Sequence, residues 1–441
     1  MQTTIKRLHR AGSNRRHLFR YIDGELTEAG CESYETSEDG LTWTFHLRDN
    51  KYSDGEEVKA QDYVNSIRRI FDPEVNCHNA GIFYCIAGGE AFNTGAGSKE
   101  DVGAVAVDDK TLEITLVEPI PYFAQLMTFS NVTPVPESKT EGEKNSSYGA
   151  TAEELAQSGP FYVSEWTRGS KVVLKKNENY WGTEPNVDGI EFRITSDSNQ
   201  AINAVQTGEV DIAMYLQGEA IKRAQDADLL LQAPSSAVTY VRFNMQNGPT
   251  ANADVRKALT MAVDIDSMVA GIYQYGEGTR AYQPLPVYSF AYDTAYNDLV
   301  PSYDPEGAKK LLAEAGYPDG FTMSLYIGST TYREKMAQML QYYWSQIGVT
   351  LDIKSSTMAD WSAAVVDSWQ SDVVNSYGVS WNSDPDPYGF LGKFFSSQTL
   401  HASSNAGGYN DAELDELLNE GLDPQTTQSA RSPIRKSLRR L

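Results

Sequence analysis

The residues of this chain best suited to chemistry lie together in Tyr377-Gly378-Val379-Ser380-Trp381-Asn382-Ser383-Asp384-Pro385-Asp386-Pro387-Tyr388-Gly389-Phe390. A short extended run enters a turn stiffened by prolines, and that turn carries two aspartates and follows a tryptophan. One reading is a turn whose aspartates cap the next helix, and for an isolated Asp-Pro-Asp-Pro that reading ranks first. The other is a rigid turn that holds a carboxylate beside an aromatic wall. Such a pair suits a ligand ammonium, through charge-assisted hydrogen bonds worth about 1.5–3 kcal/mol when shielded from water.

Catalytic signatures are otherwise missing from the sequence. It holds no G-x-S-x-G elbow, no G-x-x-x-x-G-K-[ST] loop and no H-E-x-x-H pair. Gly95-Ala96-Gly97 lacks the third glycine of a dinucleotide loop. The five histidines are dispersed: His9 and His17 in a basic stretch, His46 on the polar face of a strand, His78 and His401 in polar turns. None has a neighbour at metal-ligand spacing. Cys31, Cys77 and Cys85 form no C-x-x-C, and an odd count favours buried free thiols over a Cys77–Cys85 bridge. Sixty acidic residues guarantee carboxylate pairs by chance, so a two-carboxylate glycosidase gains nothing from them. No metal and no cofactor is expected.

The elements that must position these residues alternate between strands and helices. Leu41–Leu47 and Thr111–Val117 alternate apolar and polar residues as half-buried strands do. Val58–Phe71 has helical spacing and stops at Asp72-Pro73. Residues 137–151 are polar and glycine-bearing and read as a surface loop. Lys171–Leu174 and Ile190–Ile194 are strand signals, residues 199–207 form a helix ending at Gly208, and Val210–Ala213 reads as the following strand. Asp304-Pro305-Glu306 supplies an N-cap, a first-turn proline and a first-turn acid, and Gly316 the left-handed stop. A helix over 332–347 ends at Gly348, and the strand Val349–Ile353 follows at once. This order implies mixed α/β lobes with a smaller β-rich piece near the start, and such proteins bind ligands at the seam between domains.

Composition narrows the partners. At 441 residues, two or three domains are the default. No run reaches 18 apolar residues, so no helix is expected to span a membrane. The net charge is −23, unevenly spread. Residues 1–20 carry six bases and residues 431–441 five, with no acid in either. Eleven of the 37 bases thus sit at the ends, and the interior sets all 60 acids against 26. Such a surface repels nucleic acid and anionic membrane. The basic ends read as irregular tails.

Several ordered segments also carry a resemblance. They are Gly40–Arg48, Tyr52-Ser53-Asp54-Gly55, Ala60–Val64, Ser158–Tyr162 with Trp166, Asn179-Tyr180-Trp181-Gly182, Ile190–Ile194 and Gly208–Ile212. Later come Phe243-Asn244, Val255–Leu259, Ala262-Val263-Asp264, Tyr303-Asp304-Pro305 and Ala315–Gly320. Together, from about residue 21 to about 424, they resemble the family 5 extracellular solute-binding proteins, the oligopeptide- and dipeptide-binding subunits of bacterial ABC importers.

The resemblance implies a two-lobed, periplasmic-binding-protein-like clamshell of α/β class, with an extra β-rich subdomain, mixed sheets and the ligand in the interlobe cleft. It places lobe I at 1–35 and 158–240, the extra subdomain at 36–157, lobe II at 241–425 and an atypical basic tail at 426–441. It implies a monomer outside the cytoplasm that captures a short peptide and delivers it to membrane permease subunits, without catalysis. In peptide-binding members the ligand lies extended and pairs through its backbone with strand segments. On that pattern Gly378, Val379 and Ser380 supply backbone pairing, Trp381 is the cleft tryptophan and Asp384 holds the α-ammonium. The spacing from Trp381 to the last Asp-Pro is one residue shorter than in the oligopeptide binders, which keeps Asp386 as a rival. Members binding sugars, metal complexes or haem form the alternative, and a cleft hydrolase a more distant one. Arg280 and Arg333 are candidates for the ligand carboxylate by position alone. The opening residues lack an apolar signal core, so no export signal is read from this chain, and both basic ends read as foreign to a first lobe left incomplete.

Overall fold

The computed structural model describes residues 17–422 except 23–24, 78–79, 121, 143, 233–236, 288, 290–291, 358–359, 362–372, 381–386, 398–404 and 406. The chain divides into two compact units, Met1–Ser196 and Asp197–Leu441.

The first unit is built from strand pairing between near neighbours. β1 (Phe19–Ile22) and β2 (Glu25–Glu28) form a hairpin. β3 (Cys31–Thr36), β4 (Thr42–Leu47), β5 (Ala104–Asp108) and β6 (Thr111–Thr115) form an antiparallel sheet in the order β3-β4-β6-β5. Trp43, Phe45 and Leu47 of β4 point inward, and their alternation with Thr42, Thr44 and His46 is the period of two that made the strand legible. Helix α1 (Ala60–Phe71) buries Tyr63, Val64, Ile67, Ile70 and Phe71 at helical spacing. A third sheet runs β7 (Phe161–Thr167), β8 (Lys171–Lys176), β9 (Gly189–Arg193), all antiparallel. Residues 137–151 contain two short helical turns, Glu137–Lys139 and Lys144–Ser147, where the polar composition suggested only a loop.

In the second unit α2 (Ser198–Gln206) and α3 (Glu219–Asp226) bury Ile202, Ala220 and Ala224 against Val205, Leu216 and Leu230. Val210–Ala213 is not a strand. The amides of Glu209 and Val210 bond to the Ala204 carbonyl at the end of α2, and Ile212 is 77% exposed. An apolar run becomes a strand only where a partner is in register, and here the helix end takes the amides first.

The rest surrounds one mixed sheet: β10 (Ala237–Arg242), β11 (Phe321–Gly328), β12 (Val349–Ser356) and β13 (Val373–Ser380) in the order β10-β13-β11-β12. Helices α4 (Ala253–Met261), α5 (Ile265–Ile272), α6 (Pro305–Glu314) and α7 (Thr331–Ser345) join it in the main core, where Leu259, Leu312, Leu325, Leu340 and Trp344 are almost wholly buried. Helix α6 starts as its residues dictate: the Asp304 carboxylate accepts from the Gly307 amide at 2.9 Å, and Gly316 turns at φ +98°. Helices α8 (Pro387–Phe395) and α9 (Ala412–Leu422) make a smaller core of Leu391, Phe394, Leu414 and Leu418 with Leu285 and Tyr296. Among the described residues no helix is long and apolar enough to cross a membrane.

Candidate functional site

Strand β13 forms from a β-branched start, Val373-Val374, that inserts between β10 and β11. Its pairing with β10 is antiparallel over six residues, and Gly378, Val379 and Ser380 lie opposite Thr239, Val238 and Ala237. Val238 faces the interior, while Ala237 and Thr239 are exposed. On its other edge β13 runs parallel to β11, but that register covers only Val373–Asn375 against Ser324–Tyr326. β11 ends at Gly328, and the chain leaves for α7 through the Thr330 cap. Gly378–Ser380 therefore run past the carboxyl end of β11, with one edge committed to β10 and the other beyond the β11 ladder.

That geometry has a chemical meaning. Backbone donors and acceptors on a strand edge beyond its neighbour can pair with an extended chain from outside. The carboxyl ends of adjacent parallel strands, where the chain departs in different directions, are where open α/β sheets place ligands. In sequence β11 is followed by α7 and β13 by α8. Trp381, Asp384 and Asp386 lie outside the described residues. The described residues on either side are Ser380, paired in the sheet, and the buried Pro387, which starts α8 and is followed by Leu391 and Phe394 in the smaller core.

The two arginines singled out by position are both engaged. Arg280 pairs with Asp266 at 2.6 Å and covers the Tyr282 ring at 4.5 Å. Arg333 lies over the Trp361 ring at 4.7 Å. Strand β10 was not anticipated as the partner of the Gly378–Ser380 segment. Its own alternation, Ala237-Val238-Thr239-Tyr240-Val241-Arg242, marks a strand, yet nothing local says which of the other strands it meets.

Two of the thiols are held in their protonated form. Burial, with the neighbouring Glu28 charge, pushes the Cys31 thiol up to about 12, and burial does the same to Cys85. All three cysteines are free; Cys31 is fully buried, and Cys77 and Cys85 are partly so, against the expectation of buried thiols throughout. His46 sits 3.6 Å from Glu35 on an exposed strand face, and the His17 ring bonds the Phe129 carbonyl at 2.8 Å. His9, His78 and His401 lie outside the described residues. Among the described residues no group of three His, Cys, Asp or Glu side chains could hold a metal ion.

The motifs of the first unit prove to be framework. The Asp62 carboxylate accepts from the Tyr52 hydroxyl and the Lys59 amide, each at 2.9 Å and both on the same oxygen, Oδ2. Arg48 lies over the Trp181 ring at 3.9 Å, and Asn179 donates to the Ser53 carbonyl at 3.2 Å. The Asn177 amide donates to the Gly159 carbonyl at 2.8 Å. These segments are distant in sequence and bind one another.

Residues 25–401 match the model of the bacterial extracellular solute-binding proteins, family 5, and the chain belongs to that family. It is 31% identical over 424 residues to the dipeptide-binding protein of Escherichia coli, covering 92% of this chain and 77% of that one. To the oligopeptide-binding protein OppA of Bacillus subtilis it is 29% identical over 430 residues, covering 94% and 77%. A solved periplasmic oligopeptide-binding protein of Borrelia burgdorferi superposes with a TM-score of 0.80 at 27% identity, over 97% of this chain and 85% of that chain. The mixed α/β architecture is thus that of the periplasmic oligopeptide-binding proteins.

Proposed function

We propose that this chain is the solute-binding subunit of an ABC importer and captures short peptides in extended form. What carries the reading is the backbone of Gly378–Ser380, which runs past the carboxyl end of β11 with one edge paired to β10. A peptide laid along that edge is held through its main chain, so affinity is largely independent of its side chains. Asp384 takes the peptide's α-ammonium and Trp381 walls the site, with Asp386 the rival for the ammonium. Similarity to the dipeptide- and oligopeptide-binding proteins supports the ligand class. In this reading the protein works as a monomer outside the cytoplasm, turns nothing over, and hands its ligand to permease subunits in the membrane. Residues 1–35 and 158–240 form lobe I, 36–157 its extra subdomain and 241–425 lobe II.

Native mass spectrometry of the protein purified under mild conditions tests the ligand class: unmodified short peptides are expected to co-purify in one-to-one complex. Cleaved products accumulating on incubation would instead identify a hydrolase. Calorimetry on Asp384→Ala and Asp386→Ala tests the assignment, with the first expected to weaken peptide binding at least 10-fold, as loss of a shielded charge-assisted bond implies, and the second far less. The reverse order moves the ammonium site to Asp386.

A further inference from the structure

Helix α7 carries Lys335, Gln338, Met339, Tyr342 and Tyr343 at the three- and four-residue spacings that put them on one face. Helix α5 packs against α7, and its Gly271 meets that face at Met339. Together the six residues line a cavity of about 300 Å³. Small-ligand sites start at roughly that volume, and a cavity of about 150 Å³ already holds a benzene ring. None of the six belongs to the Gly378–Ser380 site, and the peptide-binding reading makes no use of them.

The lining has an apolar part and a polar part. The apolar part is the Met339 thioether with the rings of Tyr342 and Tyr343, which stand edge to face at 5.5 Å. Tyr342 is 63% exposed, so much of its ring is open to a flat partner. Aromatic rings and thioethers both gain from contact with another aromatic ring. Gly271 keeps the floor open. Its φ lies outside the left-handed region, so the backbone does not require glycine there, and inside a helix glycine costs stability relative to alanine. A Cβ at that position would stand 3.3 Å from the Met339 methyl, so what the glycine supplies is space.

The polar part can all donate: the Lys335 ammonium, the Gln338 side-chain amide and the Tyr342 hydroxyl. Among the described residues none of these three heads has an ion-pair or hydrogen-bond partner. The lining contains no acid, in a chain of 60 acids and 37 bases. The Asp264 carboxylate, whose charge reaches Tyr343, accepts from the Ser267 amide and hydroxyl at 3.0 and 2.6 Å, at the start of α5. Donors around an apolar floor select an anion with a flat apolar body. A cation would meet the Lys335 charge, and a neutral ring would leave the donors unused.

We propose that this face of α5 and α7 is a second solute site that takes a monocyclic aromatic carboxylate. The ring lies against Met339 and the two tyrosines, and the carboxylate meets Lys335 and Gln338.

The test uses the full chain carrying carbon-13 at its methionine methyls, with phenylacetate as the probe. Met339 is one of ten methionines, and its signal is assigned from the spectrum of Met339→Leu. Phenylacetate is expected to shift that signal saturably, and 2-phenylethylamine, which carries an ammonium in place of the carboxylate, to leave it unmoved. Lys335→Gln and Tyr342→Ala change exposed positions and should fold as the parent does. Each is expected to raise the phenylacetate dissociation constant by roughly two- to fivefold, as loss of one exposed charge pair or one ring contact implies. A Met339 signal that stays still, moves without saturating or moves equally with the amine overturns the proposal. So does a rise of less than about twofold in either variant, which means adventitious binding elsewhere on the surface.

Discussion

Asp62 offers the sharpest test of how the first unit is held. Its Oδ2 receives the hydroxyl of Tyr52, which is 2% exposed, and the Lys59 amide at the start of α1. Asp62→Ala strands a buried hydroxyl, at about 1–3 kcal/mol, and removes a helix-start acceptor, at about 1 kcal/mol. The sum is about 2–4 kcal/mol, or a fall of about 5–12 °C in the melting temperature for a unit of this size. Asp62→Asn behaves differently, because a single amide oxygen in the place of Oδ2 can accept both bonds.

The pH dependence separates the two variants further. Burial raises the Asp62 carboxyl above its ordinary value, more than its hydrogen bonds lower it. A raised folded-state value means that the protonated form is favoured in the native state. The contribution is then fully present below the unfolded value, near 4, and is lost as pH rises through the folded one. Asp62→Asn should therefore match or exceed the parent at pH 7, and the difference should vanish towards pH 4. Thermal unfolding followed by circular dichroism at both pH values reads this directly. If Asn costs as much as Ala at pH 7, the shared-oxygen account is wrong.

Three further outcomes follow from single sites. Gly320 turns at φ +75°, and a Cβ there would collide with the Gly348 carbonyl oxygen, so Gly320→Ala should cost at least about 2 kcal/mol in urea unfolding. Trp344→Phe leaves the Leu259 carbonyl, bonded to the indole at 2.9 Å, without its donor inside the main core. A loss of about 1–3 kcal/mol is expected, and a change below about 0.5 kcal/mol would refute it. With Cys31 and Cys85 both raised to about 12 by burial, iodoacetamide at pH 8 should label native protein once, at Cys77; peptide mapping that finds Cys31 or Cys85 labelled first contradicts this.

What the residues disclosed without coordinates was governed by local chemistry. The N-cap and proline at Asp304-Pro305, the left-handed stop at Gly316 and the inward alternation of Trp43, Phe45 and Leu47 each depend on neighbours within a few positions, so their elements were legible. The segment around Gly378–Ser380 stood out for the same reason, as a strand run feeding a turn rich in proline and aspartate. Tertiary structure alone decided who pairs with whom. Ala237–Thr239 meet Ser380–Gly378 across about 140 residues, and a strand carries no local mark of its partner. Val210–Ala213 had the composition of a strand and became none, because the end of α2 claimed the nearby amides. Tyr52 and Asp62 carry their motif because a buried hydroxyl and an exposed helix start converge on one oxygen, and only folding brings them there.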